Sequence, residues 1–159
     1  MVEAEALSRH LPMLYRMAWM LTGNEADAED LAHDTMVSAL TSLGRFRAES
    51  KLSTWLSTIL INRHRALRRS AAVRTAALPR LASRDVASPG AELDGAEEQA
   101  ALARALDSLT ADERELVTLS VYQGLESAEI GLALGRPAGT IRYQLHEARE
   151  KLRTLLEKR

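Results

Sequence analysis

The sequence contains no cysteine. That excludes disulfide staples, thiolate zinc sites and a cysteine nucleophile, and it suits a reducing compartment. Long apolar runs are missing as well: the stretch from Leu11 to Leu21 is interrupted by Arg16 and is far shorter than the ~20 residues a bilayer crossing needs. With no signal peptide or anchor either, a soluble cytoplasmic protein without membrane insertion is expected. Neither sign of charge is in surplus, because 21 Lys+Arg oppose 22 Asp+Glu for a net of -1. Overall basicity therefore cannot argue for a nucleic-acid partner. Strand-type alternation is absent throughout. So are an HExxH pair, EF-hand spacing, a Gly-rich phosphate loop and a GxSxG elbow, while His10, His33, His64 and His146 are scattered. No enzyme, no metal site and no cofactor is expected. What the chain does have is 159 residues that are 46% apolar, enough to bury a core and too many for a wholly disordered chain.

Charge position is more informative than charge sum. Residues 45–84 hold ten Arg/Lys and a single acid, Glu49, whereas residues 85–98 hold Asp85, Glu92, Asp94, Glu97 and Glu98 and no base. The stretch 70–95, with Pro79, Pro89 and two glycines, lacks a sustained apolar period and reads as a flexible linker. It divides the chain into a module at 1–69 and another at 96–159.

In the first module Leu7, Leu11, Leu14, Ala18 and Leu21 fall on one helix face, and Gly23 ends that helix. Asn24 can cap the next helix, whose first turn carries Glu25 and Asp27 and whose apolar contacts are Leu31, Val37, Leu40 and Leu43. A third helix is expected from about Leu52 to Arg69, with Leu52, Leu56, Ile59, Leu60 and Leu67 clustered on one side. The second module opens with Leu102, Leu106 and Leu109, and Thr110 with Glu113 forms a capping box. Leu116, Leu119 and Val121 follow, Gly124 breaks the chain, and Ser127 caps a short helix to Leu134. Gly135 then turns the chain, and Pro137 suits a first helical position. Two helices joined by a tight glycine turn have helix-turn-helix geometry, with Gly131 allowing close helix packing.

Two faces can carry chemistry. On the last helix Ile141, Leu145, Ala148 and Leu152 form an apolar stripe, and Arg142, His146, Arg149 and Arg153 form a second about 100° away. The second helix of such a motif enters the major groove with its N-terminal residues near base edges, which makes Arg142, Tyr143 and Gln144 candidate readers and Arg149 and Arg153 candidate phosphate contacts. On the third helix Thr54, Thr58, Asn62, Arg65 and Arg69 share a face opposite the apolar cluster, hydroxyls first and guanidinium groups later, with Arg63, Arg68 and Arg74 adding charge. That gradient fits a surface that meets bases or sugars at its start and tracks phosphates toward its end. Trp55 reads equally as core or as a stacking platform for unpaired bases, and Phe46 as a buried anchor. The acidic run Asp27, Glu29, Asp30 and Asp34 around His33 reads as a solvated face or a dock for a basic partner.

Four segments together carry a family likeness: DAEDLAHDT (27–35), RFRAESKLSTWLSTILINR (45–63), SLTADERELV (108–117) and GLESAEIGLALGRPAGTIRYQLHEAREKL (124–152). They resemble an extracytoplasmic-function (ECF) sigma factor, the two-domain type of bacterial RNA polymerase initiation factor. The resemblance implies an all-α chain with a sigma-2 domain, an extended linker and a sigma-4 helix-turn-helix domain. It further implies attachment to core RNA polymerase, with Asp27, Glu29, Asp30 and Asp34 on the β′ coiled coil and the sigma-4 domain touching the β flap. The -10 element would be melted and held by Phe46, Arg47, Ser50, Lys51, Thr54, Trp55, Thr58, Asn62, Arg65 and Arg69, with one extruded base in the loop before the helix. The -35 element would be read as duplex by Arg136, Thr140, Arg142, Tyr143, Gln144, His146 and Arg149. An anti-sigma factor is a further implied partner. Members commonly carry Lys-Ser-Arg-Leu where this chain has Arg142-Tyr143-Gln144-Leu145, a base at the place of Glu147 and an acid at that of Ala66. Those departures bear on promoter specificity, Gln144 and Glu147 on which -35 sequence is read.

Three other readings stay open on sequence alone. A sigma-like decoy would bind an anti-sigma factor without directing transcription, as Gln144 and Glu147 would suit. A stand-alone helix-turn-helix regulator would bind duplex DNA without polymerase, and a metal-dependent hydrolase built on the acidic helix would depend on Asp30.

Overall fold

The computed structural model describes residues 4–74 and 96–157; residues 75–95, most of the expected linker, lie outside the described residues. Every regular element among the described residues is helical.

The expected first helix is two. α1 (Ala4–Ser8) and α2 (Leu11–Thr22) are separated because Pro12, in the first turn of α2, has no N–H for the carbonyl of Ser8 and its ring would collide with it. Gly23 ends α2 in the left-handed conformation, φ 82°, and its N–H donates to the Trp19 carbonyl at 2.8 Å. Asn24 caps α3 (Glu25–Ser42) as its sequence suggests: its Oδ1 accepts from the Asp27 N–H at 2.8 Å. The buried stripe of α3 is Ala28, Leu31, Ala32, Thr35 and Ala39. Val37 and Leu40, expected inside, are 60% and 46% exposed. The small residues face inward, where they let α2 and α3 approach closely, and Val37 projects from the opposite side. Thr35 is tolerated in the core because its hydroxyl donates to the Leu31 carbonyl.

A 3₁₀ turn (Leu43–Arg45) leads through the loop at 46–51 to α4 (Leu52–Arg74), which runs five residues past the expected end. Nothing between Ser70 and Arg74 breaks a helix, the next proline being Pro79. Leu56, Leu60 and Ile61 are buried in the α1–α3 core, whereas Leu67, also expected inside, is 42% exposed at the rim of a cleft lined by Thr22, Asp27, Asp30 and His33.

The C-terminal lobe comprises α5 (Ala96–Ser108), α6 (Ala111–Val117), a π-helical turn (Thr118–Tyr122), α7 (Ser127–Leu134) and α8 (Ala138–Glu157). The Thr110–Glu113 capping box is formed in both directions. The π turn carries an extra residue per turn and shifts the helical phase, which leaves Val121 65% exposed, not in the core as its spacing suggests. Ser127 is the first residue of α7 and not its cap. Glu126 holds the cap position, and its N–H donates to the Glu129 carboxylate. Gly135 turns the chain at φ 69°, and Pro137 stands one residue before α8, its carbonyl accepting from Ile141. A Cβ on Gly131 would lie 2.5 Å from the Arg136 carbonyl oxygen, so this glycine is required for the turn to close.

The two lobes are packed together, which the sequence did not signal. α2 lies against α6 and the π turn, and the Met17 sulfur accepts from both Ser57 and Gln123.

Candidate nucleic-acid interface

Of the residues expected at the -10 element, Phe46 and Trp55 are brought into ring contact, centroids 5.1 Å apart and planes tilted by 44°. Both are half-buried, Trp55 packing on the core edge, so neither is purely a core residue nor a free stacking platform. Arg47, Ser50 and Lys51 are exposed in the intervening loop, where Ala48 takes a left-handed φ of 57°. Such a backbone is unusual for a residue with a Cβ. Thr54 and Thr58 are half-buried, and the Thr58 hydroxyl donates to the Thr54 carbonyl at 3.0 Å, leaving its lone pairs free to accept. Asn62 and Arg69 are exposed.

Arg65 is different. Its Nε lies 3.8 Å from Glu115, a residue of α6 that is 1% exposed. The same carboxylate meets His64 Nδ1 at 2.8 Å and Arg68 at 3.1 Å, and Arg68 also reaches Asp112 at 3.2 Å. Asp112 in turn lies 3.8 Å from Arg136, one of the expected -35 residues. A buried carboxylate is tolerable only with such partners, and two guanidinium groups and an imidazole from the other lobe face this one. Sequence reading missed Glu115 altogether.

On α8 the -35 candidates divide into two groups. Thr140, Arg142, Tyr143, His146 and Arg149 are exposed, Tyr143 by 66%. Arg142 and Arg149 border a groove with Ser120 and Ser127 at the start of α7, and Arg149 donates to the Ser120 hydroxyl. Gln144 turns aside: it is half-buried in a groove beside Thr110, Glu113 and Lys151, and its Oε1 is buried without a partner. Arg136 is half-buried at the turn. In that same groove burial favours a neutral Glu113 carboxyl, but the Thr110 N–H and the Lys151 ammonium at 2.9 Å outweigh it and hold its pKa below the usual carboxylate value.

The acidic face of α3 is also split. Asp27 is half-buried and engaged with Asn24, whose Nδ2 donates to it at 2.8 Å, so it serves the helix cap. Glu29, Asp30 and Asp34 are exposed, Asp34 within 3.5 Å of Arg63. No cluster of His, Asp or Glu among the described residues could hold a metal ion. No described helix is long and apolar enough to cross a membrane.

Two family models match in the order the lobes occupy: Sigma-70 region 2 over residues 6–73 and Sigma-70 region 4 over residues 99–152. The chain belongs to the ECF sigma factors of the sigma-70 family. Members of this family are promoter-directing transcription initiation factors, and the region 4 helix-turn-helix is their DNA-binding element. Among curated relatives, the chain is 33% identical to the RNA polymerase sigma factor CarQ of Myxococcus xanthus, covering 96% of this chain and 87% of CarQ. It is 34% identical to the ECF sigma factor SigE of Mycolicibacterium smegmatis over 97% of this chain, and there it spans 61% of the relative's length. Among solved structures, the sigma factor RpoE of Bartonella quintana, in complex with the anti-sigma factor NepR, matches with a TM-score of 0.79 at 29% identity, covering 96% of this chain and 95% of RpoE. CnrH in complex with the cytosolic domain of CnrY matches with a TM-score of 0.68 at 25% identity over 97% of this chain and 86% of CnrH.

Proposed function

We propose that this ECF sigma factor attaches to core RNA polymerase through the exposed acids of α3, Glu29, Asp30 and Asp34, on the β′ coiled coil, and through its C-terminal lobe on the β flap. Its two functional units are residues 1–69 and 96–159, joined by the segment 70–95. The loop with Phe46, Arg47, Ser50, Lys51 and Trp55 takes the melted -10 strand, and Thr54, Thr58, Asn62, Arg65 and Arg69 follow that strand along α4. Thr140, Arg142, Tyr143, His146 and Arg149 face the -35 duplex. The protein acts in the cytoplasm and performs no catalytic step of its own. An anti-sigma factor is its regulator, as RpoE and CnrH are each found with a partner.

The observation that carries this reading is the pairing, in one chain, of an aromatic loop feeding a hydroxyl-then-guanidinium helix with a glycine-closed helix-turn-helix. Transcription in vitro by core polymerase with the purified chain, followed by transcript sequencing, tests it. Transcripts starting at defined positions downstream of shared -35 and -10 elements are expected, and start sites no different from core polymerase alone refute it. A decoy that binds an anti-sigma factor without directing transcription is favoured by one observation, the exposed Glu147 on the reading helix; that decoy would yield no promoter-specific transcript.

A further inference from the structure

Tyr143 is the crest of α8. At ~100° per residue it points within about 15° of the direction opposite the buried stripe Ile141, Leu145 and Ala148, whereas His146 and Glu147 stand about 50° to either side and Arg142 about 90° away. The part of the helix that reaches deepest into a groove therefore includes an acid, while the guanidinium groups of Arg142 and Arg149 lie on the flank beside Ser120 and Ser127. That acid is not neutralised. The only base three or four residues from Glu147 on α8 is Lys151, which bonds Glu113 at 2.9 Å instead, and the next acid on the crest, Glu150, is held by Arg153. The Glu147 side chain is exposed and makes no ion pair or hydrogen bond among the described residues. A carboxylate there cannot face a phosphate, and the groove beyond it carries two more acids, Asp112 and Glu113. On duplex DNA it meets base edges.

We infer that Glu147 is a specificity determinant of the -35 contact, accepting a hydrogen bond from the N4 amino group of one cytosine in the major groove. This inference rests on the sigma-factor reading of α8. The edges of the bases decide the choice. Thymine presents O4 and guanine presents O6 and N7, acceptors that repel a carboxylate, and adenine sets its N7 lone pair beside the N6 amino group. Cytosine offers its donor with no acceptor on the same edge. An acid on the reading helix weakens attraction to phosphates on every sequence, so by itself Glu147 would suit a decoy; a cytosine contact restores the lost affinity at one base pair only, which turns the same charge into discrimination.

The test uses core polymerase carrying the full chain, challenged with a pool of random-sequence duplexes, the bound and unbound DNA then being sequenced. The parent should favour cytosine at one -35 position, on one strand, by about tenfold over the other bases. Glu147→Ala should level the four bases at that position alone. Glu147→Gln should move the preference there to adenine, because an amide pairs with adenine N6 and N7 together. Neither a change in net charge nor a loss of stability switches one base for another at a single position. Glu150→Gln, an acid of the same helix already held by Arg153, controls for charge and should leave the preferred bases unchanged. A base profile in Glu147→Ala identical to that of the parent, or a gain in affinity equal on all sequences, overturns the inference and leaves the sigma-factor reading standing. Bound DNA from the parent with no shared -35 element refutes that reading, and the inference with it.

Discussion

Replacing Gly131 by alanine tests the geometry of the helix-turn-helix at its tightest point. The added Cβ would meet the Arg136 carbonyl oxygen at 2.5 Å and the Ala138 nitrogen at 3.3 Å, both backbone atoms that cannot swing away. Arg136 is also the residue whose N–H donates to the Gly131 carbonyl at 2.9 Å, so the shift that relieves the clash stretches that bond. Overpacking of this kind costs about 1–3 kcal/mol, and a weakened backbone hydrogen bond about 1 kcal/mol. The better helix propensity of alanine returns about 1 kcal/mol. The balance is a loss of about 2 kcal/mol, or a Tm lower by about 4–8 °C for a chain of this size. Gly139→Ala is the matched control, because nothing lies within 4 Å of its Cβ position and its φ is not left-handed; it should leave Tm unchanged or slightly raised. Thermal unfolding followed by far-UV circular dichroism distinguishes the two. If Gly131→Ala melts with Gly139→Ala, the close approach of α7 to the turn is not a constraint and the reasoning fails.

Further expectations concern the C-terminal lobe. Arg142→Ala should weaken discrimination at one -35 position by ~1–3 kcal/mol in competition binding by the holoenzyme if the guanidinium reads a base; equal loss on every sequence would reassign it to a phosphate. Gln144→Ala should leave -35 discrimination unchanged in the same assay, because Gln144 faces α6; a changed base preference would place it in the groove instead. Thr110→Ala removes the acceptor for the Glu113 N–H and should cost about 1 kcal/mol in urea unfolding, with no loss arguing that the box is idle. Glu113 has a folded pKa below its usual value, so its contribution is fully present above the unfolded pKa and disappears as pH falls through the folded one. Stability of the parent should therefore decline more steeply than that of Glu113→Gln in the acid range, and parallel profiles would contradict the Lys151 and Thr110 pairing.

Most local signals in the sequence proved reliable where they name a single backbone event, Ser127 missing its cap position by one residue. Asn24, the Thr110–Glu113 box, Gly23 and Gly135 each mark a helix end, and each does so in the structure because capping is settled within four residues. Size was a poorer guide than phase. Val37 and Leu40 are larger than the alanines of α3, yet Ala28, Ala32 and Ala39 occupy the interior, since a close helix pair selects small residues. Pro12 did carry a legible signal for the break between α1 and α2, which a search for apolar period alone passes over. Nothing in the sequence marks the π turn that moves Val121 outward.

The candidate interface was legible as composition and less so as geometry, and α8 gives the reason. Counting ~100° per residue separates Gln144 from Arg142 by about 160° across the helix, yet proximity to the N-terminus made both candidate readers. Packing decides between them: α6 covers the Gln144 side, the π turn and α7 border the Arg142 side, and the ridge between carries Tyr143 and His146. A periodicity plot locates the core stripe but cannot say which flank the neighbouring helix covers. The same limit hid Glu115, which sits 51 residues from His64 and in α6 alone looks like a surface acid. Only the packing of one lobe on the other buries it. A charged residue in mid-helix is therefore informative once long-range neighbours are known, and in this chain it ties the surface proposed to hold the -10 strand to the lobe proposed to read the -35 duplex.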